Sequence, residues 1–100
     1  MNEPDLRTRL NAETARIAWS ELGVHFARGA VVRVDGALDL VEVAAAFVEN
    51  RRDAVEDWMA AGKVAVATDA NAQAWTAREA EVWAVVVAPW VLVQEADARG

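Results

Sequence analysis

No cysteine occurs in the 100 residues, which excludes disulfide frameworks, thiolate zinc sites and cysteine nucleophiles together and suits a reducing cytoplasmic location. Histidine occurs once, as His25. Glu21 lies one helical turn before it, but two ligands do not make a metal site, so no metal is expected. Ser20 is the single serine, with no glycine elbow around it, and no glycine-rich phosphate loop is present. No catalytic residue and no cofactor are therefore assigned. The N-terminus Met1-Asn2-Glu3-Pro4-Asp5 carries acid and proline where a signal peptide needs a basic and then an apolar stretch. The longest apolar run, Val82 to Val93, contains twelve residues and a proline, short of the ~20 residues of a spanning helix, so no membrane segment is expected.

Positive charge is also scarce, with 10 Lys and Arg against 16 Asp and Glu for a net charge of -6. Phosphate backbones repel such a chain, and nucleic acid is not an expected partner. The balance is uneven: residues 1 to 33 hold five arginines against four acids, and the rest holds five basic against twelve acidic residues. Apolar residues, by contrast, are abundant. The hydrophobic fraction is 55% before glycine is added, whereas ordinary domains reach about 45–50% with glycine included. Valine and five tryptophans supply the excess in a chain long enough for one domain, residues 1–100. Burying five large amphipathic rings in so small a core is hard, which leaves one or two of them for a partner surface.

Leu6, Leu10, Ile17, Trp19, Leu22 and Phe26 follow helical spacing up to Gly29. Residues 5 to 28 thus read as helix, in one piece or in two with a break near Ile17 to Ser20, where Ser20 offers a second N-cap. Ala30 to Val34 reads as a strand ending at the turn dipeptide Asp35-Gly36. Asp39-Leu40-Val41-Glu42 has the form of a capping box and opens a helix with the apolar face Leu40, Val43, Ala44, Phe47 and Val48. A second helix starts around Asn50 to Asp53 and stops at Gly62. Lys63 to Ala67 is a strand, Thr68 or Asp69 caps a helix through Trp75, and Val82 to Ala88 is the most strand-like stretch of the chain. Phe26 to Val31 and Met59 to Val64 repeat one helix, glycine, strand pattern 33 residues apart, which fits either a duplication or a common turn used twice. In both copies the glycine, Gly29 or Gly62, is expected at positive φ.

If residues 6 to 17 form one helix, Glu13 falls inside the apolar stripe between Leu10 and Ile17 and requires a buried partner, for which Arg33 or an amide near Trp19 is the candidate. A helix break instead frees Glu13 to solvent or to a cap. Arg33, Asp39 and Glu42 complete the best candidate ligand cluster with Glu13, although acids at helix N-termini also have a purely structural use. At the other end of the chain, twelve extended residues from Val82 to Val93 span about 40 Å, more than the roughly 34 Å breadth of a chain this long. Pro89 is the natural break, leaving Val82 to Ala88 as an interior strand and Trp90 to Val93 as a short element near the sheet edge. Apolar on both faces, that element needs a cover, either a second copy or the folded-back N-terminal helix. Trp83, Trp90 and Leu92 are accordingly the candidate homodimer interface.

Three blocks, Leu10-Asn11-Ala12-Glu13-Thr14-Ala15-Arg16-Ile17-Ala18-Trp19, Leu38-Asp39-Leu40-Val41-Glu42-Val43-Ala44 and Trp83-Ala84-Val85-Val86-Val87-Ala88-Pro89-Trp90-Val91-Leu92-Val93-Gln94, together resemble the small bacterial family catalogued as domain of unknown function 2288. The likeness runs from about Leu10 to Glu95. It implies a stand-alone cytosolic bacterial protein and brings no substrate, cofactor or catalytic residue with it. The residues themselves read as an α+β domain, with mixed α/β not excluded, in which amphipathic helices pack a sheet of three or four strands. The linker from Ala67 to Val82 is long enough for a helical crossover and leans toward a parallel pair there. The functional expectation is a non-enzymatic, self-associating interaction protein, most simply a homodimer with room for a further protein partner. A small enzyme or ligand binder built on Glu13, Arg33, Asp39 and Glu42 is the alternative.

Overall fold

The computed structural model describes residues 5–96; residues 1–4, on which the signal-peptide expectation largely rests, lie outside that range. Asp5 caps the first helix, α1 (Leu6–Glu13), by accepting a hydrogen bond from the Thr8 amide. The helix ends where Thr14 turns extended and donates its hydroxyl to the Leu10 carbonyl at 2.8 Å. Residues 15 to 18 then form strand β1 (Ala15–Ala18), followed by a 3-10 turn (Trp19–Leu22) and the short α2 (Gly23–Ala27). The expected 5-to-28 helix is thus corrected to two helices with a strand between them, and Ser20 caps neither. Helical spacing misled here because Ile17 and Trp19 suit a strand pairing equally well: β1 lies antiparallel to the later strand β4, with Ile17 opposite Val82.

The remaining elements are β2 (Val31–Val34), α3 (Leu40–Val48), α4 (Arg52–Ala60), β3 (Val64–Val66), α5 (Asp69–Ala77), β4 (Glu81–Val87) and β5 (Trp90–Glu95). They build a five-stranded mixed sheet in the order β1-β4-β5-β2-β3, one strand more than the upper expectation. All neighbours are antiparallel except β2 and β5, which run parallel with Val31 opposite Val91. The crossover from β3 to β4 therefore makes no adjacent parallel pair, since β2 and β5 stand between them. Ala88 and Pro89, joined by a cis peptide bond, form the tight turn between β4 and β5. Pro89 does break the apolar run and β4 is interior, as expected. β5, however, is not near an edge: it folds back into the centre of the sheet, hydrogen-bonded on both sides.

Alternation along the strands divides the core into two layers. On one face Val32, Val34, Val64, Val85, Val87 and Leu92 meet Leu10 of α1 and Leu40, Val43, Ala44 and Ala45 of α3. On the other, Val31, Val82, Ala84, Val91 and Val93 meet Trp19, Leu22 and Trp75, with Phe26 packed against them. Trp19 lies 4.7 Å from Trp75 and 5.7 Å from Phe26, ring centre to ring centre. Trp75 is buried, and its indole N–H donates to Glu95 at 2.9 Å. That bond satisfies the one polar atom such a ring brings into a core.

Four helices end in the same way. After α2, α3, α4 and α5 the residue in left-handed conformation is Gly29, Asn50, Gly62 and Glu79, with φ of 73°, 56°, 77° and 49°. Each donates its amide three residues back, while the next amide reaches five back, for instance Ala30 to His25 at 3.0 Å and Lys63 to Trp58 at 2.8 Å. These are Schellman turns. The 33-residue recurrence is two of the four, so it reflects a shared way of leaving a helix. A side chain at Gly29 or Gly62 would meet nothing within 4 Å, so its cost is conformational alone. Gly29→Ala and Gly62→Ala should each destabilise by about 1 kcal/mol in denaturant titration, and Glu79→Gly should stabilise by about 0.5–1 kcal/mol.

Candidate functional site

Helices do not cover the whole sheet. On the α1/α3 face, strict alternation along β4 sends Trp83, Val85 and Val87 to the same side; Val85 and Val87 are buried under helices, whereas Trp83 remains 38% exposed. Its neighbours on that face are Arg16 of β1 and Gln94 of β5, each directly opposite it in the ladder. The Arg16 guanidinium lies 6.0 Å from the Trp83 ring centre, within range of a cation–π contact. Its Nε also donates to Glu81 at 2.7 Å, so one cation is held by both a ring and a carboxylate.

Above this floor stand the C-terminal end of α1 and the N-terminal end of α3. Between them and the ring is an open cleft of about 480 Å³, lined by Asn11, Thr14, Asp39, Leu40, Trp83 and Gln94. Gln94 holds its shape by donating both amide hydrogens, to the Asp35 carbonyl at 3.0 Å and the Leu38 carbonyl at 2.8 Å. This ties the β2–α3 connection to the central strand. The next residue, Asp39, accepts from the Val41 and Glu42 amides and so starts α3. The strand floor and the capped rim present an aromatic face, one cation and several hydrogen-bonding groups together.

The residues expected from the sequence are distributed differently. Asp39 lines the cleft and Trp83 is its floor. Glu42 does not complete a capping box with Asp39; its carboxylate takes the Nε and, at 2.8 Å, the Nη2 of Arg7 on α1. A complete capping box occurs instead at Thr68 and Asn71. Glu13 ends α1 exposed to solvent, so the buried-carboxylate expectation gives way to its alternative, the helix break. Arg33 points to the opposite face of the sheet and donates to the Gly62 carbonyl at 3.2 Å. The four do not converge on one site. Leu92 is 0% exposed within the central strand, and Trp90 packs against the same core; the flanking strands and helices already occupy the faces and edges on which a dimer contact through Leu92 would depend. Arg16, Asn11 and Gln94 were not singled out from sequence. The period-two pattern of Ala15 to Ala18 was the available signal for Arg16, and it was masked by the helical spacing around it.

Architecturally this is a three-layer α+β protein with an open mixed sheet and an exposed aromatic quadrant. The chain belongs to the family described as protein of unknown function DUF2288, which it matches over residues 5–95. It is similar to the NMR solution structure of PA1075 from Pseudomonas aeruginosa, at 45% sequence identity and a TM-score of 0.82 over 96% of this chain and 91% of that one. No curated protein matches it. Among the described residues, no helix is long and apolar enough to cross a membrane.

The Arg7–Glu42 pair links α1 to α3 beside their apolar contact, and it is about half exposed on both sides. The guanidinium's hydrogen bonds hold the Glu42 carboxyl below the ordinary 4.5. A depressed carboxyl stabilises the fold fully above that ordinary value and loses its contribution as pH falls through the folded value. Arg7→Ala should therefore lower thermal stability modestly at neutral pH, and the difference from the unsubstituted protein should shrink below about pH 4 and vanish in strong acid.

Proposed function

We propose that this protein is a non-enzymatic interaction protein of the bacterial cytosol that receives a polypeptide partner on the sheet quadrant around Trp83. The exposed ring, with the Arg16 guanidinium 6.0 Å from its centre, carries this reading. An aromatic residue left open on a rigid strand loses little conformational entropy on binding and offers a large apolar area, which is why such rings anchor interfaces. The cleft rim adds amide and carboxylate groups from Asn11 and Asp39, suited to the backbone and polar side chains of an extended segment. A cysteine-free composition suits a reducing compartment.

The enzyme reading needed Glu13, Arg33, Asp39 and Glu42 in one cleft, and only Asp39 lines this one. The test is quantitative capture from the native cytosol with tagged protein, comparing Trp83→Ala and Arg33→Ala with the unsubstituted chain. Proteins recovered by the unsubstituted chain and by Arg33→Ala, but lost at least tenfold with folded Trp83→Ala, are the expected result. A specific partner or small molecule retained by Trp83→Ala and lost with Arg33→Ala would favour the ligand-binding alternative.

A further inference from the structure

A sheet with two open ends has two unpaired ladders, and their backbone phase can be read from the bonds already made. The Trp19 amide donates to the Ala80 carbonyl at 2.9 Å. Given the register of β1 on β4, this places Ile17 and Ala15 in hydrogen-bonded pairs with Val82 and Ala84. Arg16 then directs its N–H and C=O, and Ala18 its N–H, away from β4 toward the open edge, while the Ala18 carbonyl, at the N-cap of the 3-10 turn, also accepts that turn's first bond. No described strand lies beyond them.

From this we infer that two copies of the chain join edge to edge through β1, antiparallel about a two-fold axis at Ile17, to form one continuous ten-stranded sheet. Three observations select that register and that partner. First, with Ile17 opposite Ile17 of the partner subunit, Arg16 faces Ala18 of the partner subunit: the free Ala18 N–H of each copy meets the free Arg16 C=O of the other, and the Arg16 N–H meets the second lone pair of the Ala18 carbonyl. Axes at other positions leave some of them unpaired. An axis at Arg16 would also set two like charges directly opposite each other. Second, the side-chain charges match. Across Ala18 in each ladder row stands Glu81, so the Ile17 axis brings Arg16 of one copy alongside the small Ala18 and then Glu81 of the other. Arg16 and Glu81 already bond at 2.7 Å within one chain, each side chain about half exposed. The seam therefore collects two cations and two carboxylates in alternation, a self-complementary pattern that a two-fold interface requires.

Third, α1 and α3 border the Trp83 cleft without closing over β1, and the Arg16 and Glu81 side chains beside the seam stay about half exposed. At the other edge α4 runs straight into β3, and its Trp58 packs on the layer that buries Val64 completely. β3 is also shorter, with three residues against four, and among the described residues none of the ion pairs Arg7–Glu42, Arg16–Glu81, Arg51–Glu49 and Arg78–Glu95 flanks it. In the joined sheet the two Trp83 rings flank the seam, one on each side. Self-association thus stands independently of the polypeptide partner assigned to that ring.

The absence of native cysteine and the backbone angles at Ala18 allow a direct test. Ala18 has φ of -72°, which proline adopts, and its N–H donates to none of the described residues, so Ala18→Pro removes the donor offered to the partner copy. Sedimentation equilibrium should show the unsubstituted protein in a monomer–dimer equilibrium at micromolar concentration, weakened by salt. Ala18→Pro, shown to be folded by circular dichroism, should raise the dissociation constant at least about tenfold. Ile17→Cys should form a disulfide-linked dimer under mild oxidant, because a directly opposed non-hydrogen-bonded pair places Cα atoms about 4.5 Å apart, within disulfide range. Ala65→Cys, the equivalent position on β3, should stay monomeric. A wild type monomeric throughout the micromolar range, a dimer unaffected by folded Ala18→Pro, or cross-linking no faster at Ile17→Cys than at Ala65→Cys would overturn the inference. Where Ala18→Pro fails to fold, the two cysteine variants decide it. Loss of the dimer with capture at Trp83 intact would leave the proposed function standing.

Discussion

The insertion of β5 between β4 and β2 is the interaction on which the rest of this structure depends. One side of that pairing is local, closed by the two-residue turn at Ala88 and Pro89. The other is parallel and joins Val31 to Val91 across most of the chain. Every residue from Val91 to Val93 is buried, with Leu92 in one layer and Val91 and Val93 in the other. Both cores therefore close only when the last strand is seated, and closing so long a loop carries an entropic cost that the two apolar layers must offset together.

The helices answer to that sheet. Each must leave its own axis and hand the chain to the next element in very few residues, and the four left-handed residues accomplish this with one type of turn. Because the layers are thin and the helices short, with none longer than nine residues among the described residues, coverage is incomplete. The uncovered part is not random: it lies where α1 ends and β1 begins, so the same break that creates the fifth strand also exposes Trp83 and positions Arg16 beside it. Fold and candidate site thus share one cause.

That geometry relates the two proposals without merging them. The Trp83 quadrant is a side-chain surface, apolar at its centre and polar at its rim, whereas the β1 edge is a backbone surface whose specificity comes from register and from Arg16 and Glu81. A joined sheet would present two such quadrants on one rigid platform. Multivalent presentation of that kind raises effective affinity for a repeated or paired partner segment.

Several features were legible in the residues themselves, because they rest on contacts close in sequence. Asp39 starts a helix, Thr68 starts another, Gly29 and Gly62 end two more at positive φ, and Val82 to Ala88 covers an interior strand, each read from a few neighbouring residues. The face of α3 carrying Leu40, Val43 and Ala44 followed from its period, and the three sequence blocks pointed to the family. Tertiary structure decided what depended on distant partners. Ala15 to Ala18 became a strand because β4 supplied its hydrogen bonds, overriding a helical spacing that was real but unsupported beyond Glu13. Glu42 turned from its own helix cap to Arg7 of another helix, 35 residues away. The sharpest case is Trp90 to Val93. Its two-sided apolar pattern announced burial, but the pattern is the same whether the cover is a partner or the chain's own strands; only the placement of β2 and β4 on either side of it made that cover internal and left the open ladders to β1 and β3.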